Sequence, residues 1–131
     1  MESDMDWMAI NPERIPQAIE PYSVAIRVGN LGYTSGPARI DPGTRGLMPG
    51  SVDAETRQAL MNLQVVLQDS GSDPGQVVKT VVIPRDMADF ATINAVTAEF
   101  FPQEPPSRST TGLSGLPKGA AVEIEIVALV K

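Results

Sequence analysis

The amino-acid sequence predicts an α+β domain in which two helices lie on one face of a β-sheet. Three observations carry that expectation. Short runs of alternating or wholly apolar residues recur at Ser23–Gly29, Leu31–Ser35, Val77–Ile83 and 121–130, each bounded by Gly, Pro or Asn. Two longer stretches with helical spacing, Ser51–Ser70 and one opening at Asp86, fall between them. The strands at 77–83 and 121–130 are apolar on both faces, whereas two helices can cover only one side of a sheet. The remaining face needs a cover, and a second copy of the chain is the simplest one, so a homo-oligomer is predicted.

In chain order, residues 1–10 read as a flexible acidic tail with a short edge strand at Met8–Ile10, and 11–131 as a single domain. Asn11 to Pro16 holds two prolines and reads as an extended loop. Val24, Ile26 and Val28 alternate with Ala25 and Arg27, and Gly29-Asn30 separates this strand from the next, the pattern of a hairpin. Gly36 to Gly50 is rich in Pro and Gly and reads as a long loop. In the first helix Asp53 and Glu55 suit the N-terminal dipole. Ala59, Leu60, Leu63, Val66 and Leu67 form its apolar stripe, and Gly71 stops it. In the third strand Val77, Val81 and Ile83 are expected on one face, with Val78 and Val82 on the other. Asp86 caps the second helix, whose buried face is read as Met87, Phe90, Ile93, Phe100 and Phe101. Asn94 and Thr97 fall close to that stripe, which calls for something polar opposite. A Ser/Thr strand around Arg108 and the strand at 121–130 complete the order β-β-α-β-α-β-β.

Composition excludes several functions. The net charge is −6 with no basic run, which argues against a nucleic-acid partner. There is no Cys and no His, so thiolate chemistry, disulfides and the commonest general base and metal ligand are absent. Acid–base work falls to Glu, Asp, Tyr or Lys. No apolar stretch has the length to span a membrane and the N-terminus lacks a signal-peptide pattern, so a cytoplasmic location is expected.

Chemistry is sought between Pro105 and Val130. Arg108 follows a rigid proline pair, and Glu123 and Glu125 sit in an otherwise apolar strand on the face they share with Val127 and Leu129. A partly desolvated carboxylate needs a partner. Arg108 is the candidate, or both groups serve a ligand between them. Taken bare, Arg108 reads as an ion-paired or surface residue, the glutamates as strand-end residues, Asn94 as a satisfied amide and Tyr22 as a packing residue. Lys79-Thr80 after a glycine lacks the spacing of a phosphate loop.

Beyond single residues, a set of motifs resembles the reactive intermediate deaminases, the Rid family once labelled L-PSP endoribonucleases. They are Pro21-Tyr22-Ser23, Val28-Gly29-Asn30-Leu31, Thr34-Ser35-Gly36, Thr56-Arg57-Gln58-Ala59-Leu60 with Asn62-Leu63, and Val77-Val78-Lys79-Thr80. The match continues through Asp86-Met87-Ala88-Asp89-Phe90 with Asn94, Arg108-Ser109, Leu116-Pro117-Lys118-Gly119 and Val122-Glu123-Ile124-Glu125. The resemblance implies a chorismate-mutase-like mixed sheet with two helices on one face, a homotrimer with clefts between subunits, and hydrolysis of 2-imino acids or their enamine tautomers without metal or organic cofactor. It implies that Arg108 grips the substrate carboxylate, that Glu123 manages the attacking water, and that Tyr22, Ser35, Asn94 and Thr110 line the site. Glu20, Val24, Pro37-Ala38-Arg39, Ser107 and Thr110 depart from the usual family residues, so a pathway-specific imine or enamine is expected. The alternatives are a non-catalytic trimer that binds small carboxylates and, disfavoured by charge, an endoribonuclease.

Overall fold

The computed structural model describes residues 6–13, 21–36, 51–112, 116 and 120–130. The expected loop beyond Gly36, most of the Leu-Pro-Lys-Gly turn, residues 1–5, Glu20 and Pro37-Ala38-Arg39 lie outside the described residues. Six strands and two helices follow in the order β1 (Trp7–Ile10), β2 (Ala25–Val28), β3 (Leu31–Thr34), α1 (Val52–Asp69), β4 (Val77–Pro84), α2 (Phe90–Phe100), β5 (Ser107–Thr110) and β6 (Val122–Leu129). The strands form one sheet in the order β1-β2-β3-β6-β4-β5. All neighbours are antiparallel except β4 and β5, which run parallel and need the crossover that α2 supplies. The α+β class, the mixed sheet and the short strand at Met8–Ile10 are as expected.

Local chemistry sets the element ends. Gly29, at φ 57°, makes the two-residue turn between β2 and β3, a conformation that glycine adopts without penalty. α1 ends in a paired closure: Gly71 at φ 76° donates to the Gln68 carbonyl, and Ser72 donates to that of Leu67 at 2.8 Å. The Asp86 carboxylate accepts from Ala88 N–H at 2.9 Å and so caps a 3₁₀ turn, Met87–Asp89, that leads into α2. Met87 sits in that turn and is 51% exposed, so it does not belong to the buried face expected of it.

Both helices cover the same side of the sheet. Ala59, Leu60, Leu63 and Leu67 of α1 and Ile93 and Val96 of α2 enclose Val77 and Val82 of β4 and Val122, Ile124, Ile126 and Ala128 of β6. Phe100 and Phe101 pack on the margin of this core. Val77 joins it because β4 shifts register between Val77 and Lys79: Val77 pairs with Ala128, and Val78 is left out and 43% exposed. A bulge reverses the alternation on one side of itself, which corrects the expected grouping of Val77 with Val81 and Ile83. Glu55, read as a dipole partner, is buried and its Oε1 accepts from Ala121 N–H at 3.0 Å, tying the start of α1 to the strand that leads into β6. Arg57 of α1 and Glu99 of α2 form an exposed ion pair across the two helices.

The opposite face has no helix over it among the described residues. The strand registers place Ile26, Val28, Leu31, Tyr33, Val81, Ile83, Val127 and Leu129 on that side. Tyr33 is 44% and Leu129 40% exposed, so large side chains on this face lie open within one chain.

Candidate active site

The predicted site residues fall into two groups. Arg108 lies in register with Thr80 on β5, the edge strand. Thr80 and the neighbouring Val82 belong to the helix-covered side, so Arg108, and Thr110 two residues on, point to that side as well. There the Arg108 Nη1 donates to Asn94 Oδ1 at 2.6 Å. A guanidinium has no acceptor, so the amide oxygen must be the atom that faces it. The guanidinium carbon stands 5.3 Å from the centroid of the Phe90 ring, within cation–π range. Phe90 and Asn94 are four residues apart on α2 and so share one face of the helix. Among the described residues Arg108 has no carboxylate partner. The guanidinium is thus held at one edge by an amide and rests over a ring.

An open cavity of about 430 Å³ adjoins this guanidinium, bounded by Asn94, Ala98, Phe101, Pro105 and Pro106 among others. Thr97 also borders it, but its hydroxyl donates to the Ile93 carbonyl at 2.8 Å. That bond runs back along α2, so Thr97 is satisfied within its own helix and not by a polar group opposite, whereas Asn94 meets the Arg108 guanidinium.

The second group gathers on the other side of the sheet. Glu123 is in register with Ile83, three residues from Thr80, and therefore faces away from Arg108. It is half-buried, and a Cβ on Gly36 would come within 2.6 Å of the Glu123 side chain. Ser35, the residue before Gly36, donates from its N–H to the Val24 carbonyl at 2.8 Å and from its hydroxyl to the Ser23 carbonyl at 2.5 Å. Those bonds fasten the Tyr22-Ser23 segment beside the end of β3, and Tyr22 is 41% exposed. The chain reaches this position because Thr34 Oγ1 accepts from Ile126 N–H at 2.9 Å, in place of a backbone partner, where β3 leaves β6. Ser35, Gly36 and Glu123 form one cluster, with Tyr22 at its margin.

The expectation that Arg108 neutralises Glu123 is therefore corrected within one chain, where the sheet separates them. Glu125 is exposed on the same face as Glu123. Two residues escaped notice in the sequence, Phe90 as the platform under Arg108 and Gly36 as the space that Glu123 fills. The i, i+4 spacing of Phe90 and Asn94 was the available signal for the first.

Among the described residues no group of three or more His, Cys, Asp or Glu is arranged to hold a metal ion, and no helix is long and apolar enough to cross a membrane.

The family model described as "Endoribonuclease L-PSP" matches residues 12–130. The chain is 41% identical over 120 residues to the 2-iminobutanoate/2-iminopropanoate deaminase of Mus musculus, covering 92% of this chain and 89% of that protein. It is 40% identical over 119 residues to Reactive Intermediate Deaminase A, chloroplastic, of Arabidopsis thaliana, covering 91% of this chain and 64% of the plant protein. The crystal structure of E. coli TdcF with bound serine superposes with a TM-score of 0.88 at 33% identity, covering 95% of this chain and 99% of that one.

Proposed function

From the premise that this chain belongs to the Endoribonuclease L-PSP family, that of the Rid deaminases, we propose that it is a cofactor-independent enamine/imine deaminase, a hydrolase acting on C–N bonds. It converts 2-imino acids, or their enamine tautomers, to 2-oxo acids and ammonia in the cytoplasm. The relatives in mouse and Arabidopsis bear deaminase names. The observation that carries the reading is the Arg108 guanidinium, held by Asn94 over Phe90 beside an open cavity and lacking a carboxylate partner among the described residues.

The chemistry follows from that group. A carboxylate docks on the free edge of Arg108 by parallel charge-assisted hydrogen bonds, which fix orientation as well as charge. The enamine form first takes a proton at carbon to give the imine. Water adds to the C=N carbon, Glu123 accepts the proton that water loses, and the nitrogen gains protons to leave as ammonia while the C–N bond breaks and C=O forms. The sum is imino acid plus water to oxo acid plus ammonia, with no change in oxidation state.

Because one sheet separates Arg108 from Glu123, the complete site is built by two copies. Arg108, Asn94 and Thr110 come from one, and Glu123, Ser35 and Tyr22 from its neighbour. The uncovered apolar face supports such association, and a closed homotrimer gives every copy both roles. RNA cleavage is not proposed, since the charge of −6 opposes phosphate binding.

The direct test is ammonia release from freshly generated 2-iminopropanoate. Acceleration well above the spontaneous rate is expected. Binding of the 2-oxo acid without acceleration would replace the enzyme with a carboxylate-binding module.

A further inference from the structure

We infer that Lys79 and Glu125 form a reciprocal contact between copies: Lys79 of one copy pairs with Glu125 of the next on the uncovered face of the sheet. This rests on the two-copy site above and names the charges that hold the copies in place.

Strand register fixes which residues share this face. Lys79 lies opposite Val127 and Glu125 opposite Val81, so both charges stand on the side that no helix covers among the described residues. They border one open hollow of about 290 Å³, whose walls also include Tyr33, Val81 and Val127. The described strand positions on this side hold one cation, Lys79, and two carboxylates, Glu123 and Glu125. Glu123 is half-buried against Gly36. Glu125 and Lys79 are both exposed, and among the described residues neither has an ion pair or a side-chain hydrogen bond.

In a single copy water serves both charges, and the register sets them diagonally across the ladder instead of directly opposite. Covering the face changes the balance. A neighbour that buries Tyr33, Val81 and Val127 also strips water from Lys79 and Glu125, and a charge buried without a partner is costly. A second copy brings the opposite charge for each. A closed ring then presents one Lys79 and one Glu125 at every contact, with no charge left over. An apolar partner offers no such match. The pair also fixes the rotation of one copy against the next, which apolar contact does not, and the meeting of Arg108 with Glu123 depends on that rotation.

Charge reversal tests this by mass in solution, independently of turnover. Sedimentation over a dilution series is run on wild type, Lys79→Glu, Glu125→Lys and the double exchange. Each single reversal sets like charges against each other and is expected to raise the dissociation constant at least ~100-fold. The double exchange is expected to return it to within about tenfold of wild type. Mixing the two single variants separates a contact between copies from one within a chain. In the mixture every interface between unlike chains regains opposite charges, so assemblies form at concentrations where either variant alone is monomeric. A pair within one chain gains nothing from mixing.

Both residues are exposed in the single chain, so circular dichroism is expected to show folded variants. If a reversal does not fold, Lys79→Met and Glu125→Gln replace it in a double-mutant cycle. Coupling of about fivefold or more in the dissociation constant then upholds the pair, and additive effects overturn it. Single reversals that assemble like wild type, or a mixture that stays monomeric, overturn the pair and leave the two-copy site standing. Wild type that is monomeric at every concentration overturns the two-copy site and the pair with it.

Discussion

Arg108 and Glu123 lie on opposite faces of one sheet, Arg108 in register with Thr80 and Glu123 with Ile83. A strand turns successive side chains to opposite sides, so no rotamer change in a single chain brings the two groups to one small ligand. Each has its own supports: Phe90 and Asn94 for the arginine, Gly36 and the Ser35 turn for the glutamate. The site proposed here joins these halves across two copies.

Arg108→Ala is expected to lower kcat/KM for 2-iminopropanoate by at least ~100-fold, since it removes a charge-assisted pair in a partly enclosed site. Arg108→Lys keeps the charge but loses the planar fork, and is expected to recover little of that loss. Steady-state kinetics check both, with an unchanged melting temperature to show that the exposed residue is not structural. Full activity in the lysine variant would refute bidentate recognition.

Asn94 and Phe90 act on substrate through Arg108, as positioning residues. Phe90→Leu is expected to raise KM roughly 10-fold with a smaller change in kcat, and Phe90→Tyr to restore it, because the ring face is retained. Asn94→Asp makes a sharper prediction. Its carboxylate would pair with Arg108 at the present 2.6 Å contact and compete with substrate, so turnover falls while thermal stability does not.

Gly36→Ala tests the other half. The added Cβ would stand 2.6 Å from Glu123 carbons, so that side chain must move. A loss of kcat of ~10-fold or more is expected with KM almost unchanged, because the carboxylate grip on Arg108 is untouched. Wild-type kcat in this variant would show that the placement of Glu123 is not critical.

The ion pair between the helices predicts a pH effect. Arg57 holds the Glu99 carboxyl below its usual range. A depressed folded-state pKa contributes stability above the unfolded value, about 4.3, and loses it as pH falls through the folded value. Glu99→Gln is therefore expected to be slightly less stable than wild type at neutral pH, and the gap should narrow as the pH falls below the unfolded value of about 4.3. Both groups are exposed, so the effect is small; urea titrations at pH 7 and pH 3.5 measure it.

Much of the fold was legible because its signals are local. The Gly29-Asn30 turn, the stripe from Ala59 to Leu67 and the Gly71 stop each follow from a few neighbouring residues. The errors came where the outcome is non-local. Nothing in Val77-Val78-Lys79 announces that Val78 will be left out of the ladder, since the bulge is set by pairing with β6, about fifty residues later. Met87 shares the helical period of Phe90 but sits in the 3₁₀ turn that Asp86 caps, outside the buried face. The motifs named the site residues, yet which side of the sheet Arg108 faces depends on the register of β5 against β4. Strand alternation alone could place Glu123 relative to Glu125, but not relative to Arg108.

The claim on which the account rests is that each site takes Arg108 from one copy and Glu123 from another. Arg108→Ala and Glu123→Gln chains, each inactive alone, should be co-expressed in equal amounts and assayed for ammonia release. If each cleft draws its halves independently from the two variants, about a quarter of wild-type activity returns. Mixed assemblies that stay as inactive as either parent would contradict the shared site.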